Sequence, residues 1–365
     1  MLRDEFPLLG TCVYLNSNST GAQPRGVRQV LDDYWATITS WRDSAWGGWL
    51  EAMAGYRDAL ADFLGAPRGT VVTDVNTSTL LGRVGTCLDF TGRNRVVLSH
   101  LEFPSMPFLW RGFARYGAEV VVAGGPGPAF DEDALVAAID EQTRIVCVSH
   151  GSYTTGALID VTRIVARAKE VGALVLLDAF QTVGVVPVDL AASGVDFAVG
   201  GAHKWLCGAH TAFLYARQDL LPELRPAATG WFASESPLSW APPTQWAPDA
   251  QRLASGMPVP LTAMMSRVGL DLFASVGVAQ IRAHSLRCTD RIIERADEAG
   301  IAVVTPREET RRGGVVVLSF PGDQAVHTRL DAAGMVCSYR GGLRIAPHVY
   351  NTLDEVDRFM DEVVA

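Results

Sequence analysis

The sequence predicts an α/β fold, in which apolar strands form a buried sheet and helices cover it. The clearest strand, Ala173–Leu177, is apolar throughout, as strands of a parallel sheet buried on both faces are. Two similar runs, Arg95–Ser99 and Glu119–Ala123, precede it. The stretch between Asp178 and Lys204 leaves room for a crossover helix or loop and a return strand.

Length and composition indicate the number of domains and the broad class of protein. The chain has 365 residues, 48% of them hydrophobic, and a net charge of -9. This length allows one large domain and a smaller one, each with a buried core. The negative charge argues against a nucleic-acid partner held by phosphate contacts. The six cysteines form no C-x-x-C pair and the seven histidines lack metal-ligand spacing, so we expect neither a disulfide framework nor a metal site.

Nothing in the sequence predicts contact with a membrane. No apolar run approaches membrane-spanning length. The opening residues, Met1–Pro7, carry charges and a proline where a signal peptide needs an apolar core. We expect a soluble protein of the cytoplasm, without a membrane partner.

The N-terminal part is predicted to begin with a short strand near Val13, followed by polar turn residues that include Asn18. A helix is expected to start near Pro24 and to extend over Val27–Arg42. The tryptophans that follow, at positions 41, 46 and 49, are more typical of a core or a dimer surface than of a ligand site.

Residues 70–82 are predicted to form a strand that turns into a helix through hydroxyl side chains, Ser78 and Thr79 among them. Unpaired amides at a helix N-terminus, together with these hydroxyls, can bind a phosphate group. An ordinary N-cap uses the same atoms, so the residues alone leave both interpretations open.

Two residues further along the chain indicate the chemistry more directly. The strand Ala173–Leu177 ends at the carboxylate of Asp178, and the apolar stretch Phe197–Val199 leads through two glycines to Lys204. Desolvation at such a place lowers the pKa of a lysine and makes its amine a nucleophile toward a carbonyl. Singly, Asp178 could cap a helix and Lys204 could be a solvated surface charge. Together they predict pyridoxal 5'-phosphate (PLP), with the carboxylate on the ring nitrogen and the lysine on the aldehyde.

The C-terminal part is predicted to contain helices at Ala263–Val276 and Val278–Ala299, a strand at Gly314–Phe320 and a short helix near Gln324–Ala333. Arg344 follows in the closing segment. Its planar guanidinium offers a bidentate fit to a carboxylate, and a surface ion pair is the alternative interpretation.

The spacing Asp-x-x-Gln at 178–181, followed by His203-Lys204, resembles the class V aminotransferase group of fold-type-I PLP enzymes. The resemblance extends over nearly the whole chain. The group holds kynureninases, cysteine desulfurases, selenocysteine lyases and isopenicillin N epimerase-like proteins. It implies a mixed, mostly parallel seven-stranded sheet between helices, with a smaller α+β domain at the C-terminus. The implied divisions are a segment at 1–20 that packs with the small domain, a PLP-binding domain at 21–258 and the small domain at 259–365.

The resemblance also implies roles for individual residues and a homodimer with active sites shared at its interface. The implied catalytic residues are Lys204 and Asp178. Lys204 forms a Schiff base and later removes the α-proton of an amino-acid substrate. The other implied residues are Ser78, Thr79 and His203 for the phosphate, Phe103 for stacking on the ring, Gln181 for the phenolic oxygen, Trp231 for the other subunit's phosphate, and Arg344, Asn18 and Tyr153 for the substrate.

Two positions depart from the group's phosphate site. Gly201 stands where the group usually has a serine, three residues before the lysine. Met257 stands where many relatives have a threonine that reaches across the dimer. Neither side chain can donate a hydrogen bond to phosphate, so phosphate binding has to be rebuilt from other groups.

Several motifs favour a kynureninase-like reaction. They are Asn18-Ser19, Phe103-Pro-Ser105, Trp231-Phe232 and Arg344–Pro347. The histidine-containing segment and the asparagine that contact the substrate in kynureninases are replaced here by Trp46–Glu51 and Gly256. We therefore expect side-chain cleavage, by a lyase or hydrolase, of an amino acid other than kynurenine.

Other reactions need the same residues. A class V aminotransferase shares Lys204, Asp178 and Arg344. A cysteine desulfurase is disfavoured, because Arg340–Arg344 leaves no mobile loop for a nucleophilic cysteine and Cys337 lies on a predicted strand. A non-catalytic PLP-binding protein would need no substrate clamp such as Arg344, and a dehydrogenase is excluded by the missing dinucleotide motif.

Overall fold

The computed structural model describes residues 2–240 and 245–365. In chain order, the strands of these residues are β1 Val13–Tyr14, β2 Val71–Asp74, β3 Arg95–Ser99, β4 Glu119–Ala123, β5 Thr143–Ser149, β6 Leu174–Asp178, β7 Phe197–Gly201, β8 Ala212–Ala216, β9 Ala302–Val303, β10 Val316–Ser319, β11 Met335–Val336, β12 Ser338–Tyr339 and β13 Leu343–Ile345. The α-helices are α1 Gly26–Thr39, α2 Ala45–Phe63, α3 Thr77–Thr86, α4 Ser105–Gly112, α5 Glu132–Ala138, α6 Thr162–Val171, α7 Leu190–Ser193, α8 Pro260–Val276, α9 Val278–Glu298, α10 Asp323–Ala332 and α11 Leu353–Val364. Short 3₁₀ turns lie at Leu2–Glu5, Pro7–Gly10, Phe113–Tyr116, Leu221–Glu223, Trp231–Ala233, Pro237–Ser239, Ala250–Leu253 and Glu309–Arg311.

Strands β2 to β8 form one sheet of seven strands, in the order β2-β8-β7-β6-β5-β3-β4. Strand β8 runs antiparallel to both of its neighbours, β2 and β7. The remaining pairs are parallel. The predicted mixed, mostly parallel, seven-stranded sheet is confirmed, and β3 and β4 have the predicted bounds.

Burial on both faces explains the apolar run that predicted β6. Successive side chains of a strand point to opposite faces. Leu176 packs with Trp110 in a core that α3 and α4 cover, while Leu177 packs with Phe213 in the opposite core, which α2, α6 and α8 cover. Because β6 has no solvent face, its sequence needs no polar alternation.

The C-terminal ends of the parallel strands meet at one edge of the sheet. Ser149 at the end of β5 lies opposite Asp178 at the end of β6, and Asp178 lies opposite Val199 in β7. Strand β7 ends at Gly201, so Lys204 enters at the same edge. Open α/β sheets bind their ligands outside these strand ends.

A second, antiparallel sheet of four strands follows, in the order β12-β13-β10-β9. Its core contains Ile292 of α9 and Phe359 of α11. The predicted helices at 263–276 and 278–299 are confirmed as α8 and α9, and the predicted strand at 314–320 is confirmed as the shorter β10. Helix α8 packs against α1 and α2, so it lies on the side of the large sheet.

The N-terminal segment connects the two sheets. Strand β1 pairs in parallel with β11, and Val13 and Leu15 pack in the core of the four-stranded sheet. A few residues later, the backbone N–H of Gly21 donates a hydrogen bond of 2.7 Å to the carbonyl of His203. This short stretch therefore contacts both the small sheet and the loop that carries Lys204.

The predicted helix at 27–42 ends earlier, at Thr39. The hydroxyls of Thr39 and Ser40 both donate to the carbonyl of Ala36, a local pairing that competes with helix propagation. The tryptophans beyond it belong to a surface cluster in which Trp46 and Trp49 pack edge to face, with ring centroids 5.5 Å apart.

No single helix in the described part of the chain is long and apolar enough to cross a membrane. Taken as a pair, α8 and α9 have sufficient length and apolar composition, but the chain bends by 84° between them.

Candidate active site

A cavity of about 280 Å³ opens at the C-terminal edge of the large sheet. It brings together residues from six separate parts of the sequence. The predicted site residues that line it are Ser78, Phe103, Tyr153, Asp178, Gln181, His203 and Lys204. Thr79, Asn18, Arg344 and Trp231 do not belong to its lining.

Lys204 lies in an aromatic environment. Its Nζ is 4.4 Å from the ring centroid of Phe180 and 5.8 Å from that of Phe103. Burial lowers the pKa of the lysine to about 8; the charge of Asp178 opposes this shift and the charge of Arg344 adds to it. At this pKa about a tenth of the amine is uncharged near neutral pH, far more than for an ordinary lysine, and the uncharged form is the one that attacks a carbonyl.

Asp178 ends β6 with its side chain in the cavity. Burial raises the pKa of this carboxyl, while the backbone N–H of Phe180 and the charge of Lys204 lower it. That N–H donates a hydrogen bond of 2.9 Å to Asp178 Oδ1. The second oxygen is left for another donor in the cavity.

A second buried carboxylate, Glu102, supports the cavity from the end of β3. It accepts hydrogen bonds from the hydroxyl of Ser99 and from both the backbone N–H and the hydroxyl of Ser149, the latter at 2.9 and 2.6 Å. Burial raises the pKa of Glu102 to about 7, despite these donors. Glu102 thus fixes Ser149, a cavity residue, and it was missed by the sequence reasoning because only its three-dimensional partners distinguish it.

Two amide side chains near the cavity have polar atoms without partners in the described part of the chain. Gln181 Nε2 donates to the backbone carbonyl of Asn18 at 3.3 Å, while Gln181 Oε1 has no partner within the described residues. The side-chain amide of Asn18 is fully buried, and neither of its polar atoms finds a partner there. Because unpaired buried amides are costly, these groups indicate a place for a polar ligand.

Arg344 lies on β13 with only 3% of its surface exposed. Within residues 2–240 and 245–365 it forms no ion pair, and its Nε has no hydrogen-bond partner. Burial lowers the pKa of its guanidinium to about 10, and Tyr153 partly opposes this shift. An unpaired guanidinium in this environment is a strong receptor for a carboxylate.

The N-terminus of α3 faces the cavity. Asn76 caps the helix: its Oδ1 accepts from the backbone N–H of Thr79 at 2.9 Å and from the Thr79 hydroxyl at 3.0 Å. Thr77 and Ser78, by contrast, line the cavity. The phosphate role predicted for Thr79 stays a prediction, and Thr77 joins Ser78 as a candidate that the sequence reasoning did not single out.

Trp231 lies outside the Lys204 cavity. It lines a neighbouring cavity with Gln245 and stacks on Trp240 with ring centroids 5.2 Å apart. Met257, the other residue expected to reach across a dimer, is 56% exposed. Their proposed action on a partner's site stays a prediction.

The residues at the cavity fit PLP. Lys204 offers an amine for the aldehyde, Asp178 an acceptor for the ring nitrogen, and Gln181 an amide without a full set of partners. Phe103 presents an aromatic face, and the N-terminus of α3 suits a phosphate group. Among the described residues, no three histidine, cysteine or acidic side chains are grouped to hold a metal ion.

The sheet order, with an aspartate and a lysine at one edge, is that of the fold-type-I PLP enzymes. Within this class, the chain belongs to the family described as "Aminotransferase class-V", whose model matches residues 13–359. The resemblance predicted from the sequence is confirmed, and the protein is an enzyme of this PLP-dependent group.

Two sequence relatives show how the chain compares within the family. It is 28% identical over 373 residues to "Uncharacterized aminotransferase YcbU" of Bacillus subtilis (strain 168). The aligned region covers 100% of this chain and 96% of that protein. It is 30% identical over 363 residues to kynureninase of Pseudomonas fluorescens, covering 93% of this chain and 84% of that protein.

Among solved structures, the apo cysteine desulfurase from Thermococcus onnurineus NA1 superimposes with a TM-score of 0.88. The match covers 100% of this chain and 96% of that one, at 23% identity. At this identity the likeness shows the fold alone.

Proposed function

We propose that this protein is a PLP-dependent enzyme that binds an α-amino acid, removes its α-proton and cleaves its side chain. The reaction is kynureninase-like, by a lyase or hydrolase, on a substrate other than kynurenine. The 30% identity to a kynureninase supports the reaction type. The replacement of the kynureninase substrate contacts by Trp46–Glu51 and Gly256 supports a different side chain.

The observation that carries the proposal is the buried guanidinium of Arg344, which has no acidic partner in the described part of the chain. It is close enough to Lys204 for its charge to lower the lysine pKa. A permanently unpaired buried charge costs several kcal/mol. A substrate carboxylate beside the lysine amine would pair with the Arg344 guanidinium. An α-amino acid presents this carboxylate next to the amino group that would react with the cofactor aldehyde.

Each residue then has a defined task. PLP, when bound, supplies a conjugated ring that draws electrons from the α-carbon of the substrate. Asp178 would keep the ring nitrogen protonated, Gln181 would contact the phenolic oxygen, and Arg344 would hold the substrate carboxylate. The Nζ of Lys204, whose pKa burial lowers to about 8, would accept the α-proton.

The fate of the substrate after proton removal separates the candidate reactions. A desulfurase-type persulfide is disfavoured, because Cys337 is buried and burial raises the pKa of its thiol to about 12. A thiol held protonated is a poor nucleophile. An aminotransferase is the second candidate, which the match to YcbU along the whole chain supports.

We also propose a homodimer in which Trp231 and the stretch around Met257 reach the partner's site. Large apolar side chains on the surface support an interface: Trp240 is 79% exposed, Phe108 77% and Trp35 65%. Trp240 also stacks on Trp231 and forms a partly exposed aromatic pair with it. Exposed aromatic pairs of this kind are typical of protein–protein contacts.

The test begins with protein saturated with PLP, to which a panel of L-α-amino acids is added while products and cofactor absorbance are recorded. Alanine or pyruvate with a released side-chain fragment would support the proposed cleavage. Formation of the pyridoxamine form of the cofactor, reversed by an α-keto acid, would instead identify an aminotransferase. A protein that does not retain PLP would overturn both.

Arg344→Lys tests the carboxylate receptor, since lysine keeps the charge and loses the bidentate fit. We expect KM for the active amino acid to rise roughly 10- to 100-fold, and KM for the corresponding amine without the carboxylate to stay unchanged. The matched control is Arg340→Lys, at an exposed arginine four residues away, for which both KM values should remain those of the parent protein.

A further inference from the structure

The ring of Phe180 occupies the space beside Gly201. A Cβ atom added to Gly201 would lie 2.3 Å from Cζ and 2.6 Å from Cε2 of Phe180. Real Cβ atoms essentially never come closer than 3 Å to a neighbour, so a side chain at position 201 would require the Phe180 ring to move. The ring of Phe180 therefore fills the space in which a serine hydroxyl would stand, and another group has to supply its hydrogen bond.

Two histidines lie beside this ring. His203 and His210 both line the cavity, and their rings stack with centroids 4.3 Å apart and an interplanar angle of 23°. Phe180 packs edge to face on His203, with centroids 5.1 Å apart. In the described residues neither imidazole has a hydrogen-bond partner, so both rings keep their N–H groups for a ligand.

The backbone fixes His210 in this position. The N–H of Thr211 donates to the carbonyl of Ala209 at 2.8 Å, which closes a three-residue turn centred on His210. The N–H of Ala209 donates to Ser266 Oγ on α8 at 3.1 Å. The N–H of Ala202 donates to the carbonyl of Thr211 at 2.9 Å. These bonds fix the main chain on both sides of His210, while its exposed imidazole is positioned by its stacking on His203.

The stacked pair faces a second group of donors. Thr77 and Ser78, in the first turn of the ten-residue helix α3, line the same cavity. The amides and the positive end of this helix favour an anion. Burial, the charge of His210 and the charge of Lys204 lower the pKa of His203 to about 4, so without an anion His203 is neutral and an anion between the rings and the helix would favour its protonation.

We propose that His203 and His210 form an imidazole pair that binds the phosphate group of the cofactor, and that His210 takes the place of the serine hydroxyl excluded by Phe180. This inference rests on the proposed function, because PLP supplies the phosphate monoester. It adds a phosphate ligand, His210, and a reason for the exchange of serine for Gly201.

The test compares PLP with pyridoxal, which has the same ring and aldehyde but no phosphate. Dissociation constants for the two compounds are measured by absorbance titration of the cofactor-free protein and of His210→Gln. We expect the variant to lose about tenfold in affinity for PLP, the loss of one strong hydrogen bond, and less than about twofold for pyridoxal. His327→Gln, at a histidine on α10 that faces the carbonyl of Cys337, is the control and should match the parent protein for both.

Binding of inorganic phosphate gives a second readout that does not require the aldehyde. In ³¹P NMR, the cofactor-free parent protein should broaden or shift the phosphate signal, and the double variant His203→Gln/His210→Gln should not. Parental affinity for PLP in His210→Gln, or an equal loss for PLP and pyridoxal, would overturn the inference. A parent protein that binds phosphate but neither PLP nor pyridoxal would overturn the proposed function while leaving the phosphate pair in place.

Discussion

At the scale of single residues, burial and two charged neighbours shift the pKa of Lys204 in opposing directions. Burial lowers the pKa of the lysine to about 8, the charge of Asp178 raises it and the charge of Arg344 lowers it. The uncharged amine should therefore become available over a pH range centred near 8. Removing either charged neighbour should move that range in a known direction.

This can be measured by reductive methylation of the cofactor-free protein with formaldehyde, because the sequence contains only two lysines, Lys169 and Lys204. We expect the rate at Lys204 to rise with a midpoint near pH 8. Asp178→Asn should lower that midpoint and Arg344→Gln should raise it. Peptide mass spectrometry follows both lysines, and the exposed Lys169 is the reference in every sample. Identical midpoints in the parent and both variants would contradict the electrostatic account.

The residues predicted from sequence are those whose chemistry is visible locally. Asp178 and Lys204 each follow an apolar strand, so their position at a sheet edge could be inferred from the pattern of the chain. Glu102 and His210 could not be found in this way. Glu102 is distinguished by its burial against Ser149, and His210 by its stacking on His203. Neither contact can be inferred from the spacing of residues in the sequence.

At the scale of elements, the loop after β7 is covered by the N-terminal segment. A Cβ atom added to Gly21 would lie 2.1 Å from the carbonyl oxygen of Lys204 and 2.7 Å from Cys207 Sγ. Only glycine allows the two backbones to approach this closely. The position of the lysine loop thus depends on a residue that lies far from it in sequence.

Gly21→Ala should force these two segments apart. We expect a loss of about 1 to 3 kcal/mol in the free energy of unfolding, the usual cost of overpacking, together with weaker retention of PLP. Urea unfolding of the cofactor-free protein measures the first effect and cofactor titration the second. Gly10→Ala is the control, since a Cβ at Gly10 meets no atom within 4 Å; equal stabilities of the two variants would refute the contact.

Strands of four or more residues were largely predictable, whereas helix α2 and the two-residue strands β11 and β12 were not. The strands β3 and β4 are continuous apolar runs, and their bounds agree with prediction. Helix α2 was not predicted, because Trp46–Trp49 includes two glycines, which disfavour helix, and its register depends on tryptophan contacts. Strands β11 and β12 have two residues each, and such strands are defined by their partners rather than by their own sequence.

At the scale of the whole molecule, the position of Trp231 outside its own chain's cavity has a testable meaning. If Trp231 serves the partner's site, a site consists of Lys204 from one protomer and Trp231 from the other. In a mixed dimer of Lys204→Ala and Trp231→Ala protomers, one site carries both changes and the other carries neither. We expect this dimer to recover half the activity of the parent dimer.

The measurement uses two affinity tags to isolate the mixed dimers, with each homodimeric variant assayed alongside. Both homodimers should be impaired, because every one of their sites carries a change. If the tryptophan acted within its own chain, each site of the mixed dimer would carry one change, and no recovery would be observed.

The pairing of the chain's two ends has a consequence for the order in which the molecule forms. Asn351 Nδ2 donates to the carbonyl of Tyr14, 337 residues away, and β1 has β11 as its partner. At roughly 5 to 20 residues per second, the N-terminal segment leaves the ribosome tens of seconds before the residues that anchor it. The segment carrying Asn18 and Gly21 would thus dock late, and a nascent chain would expose the lysine loop until residues 335–351 had been made.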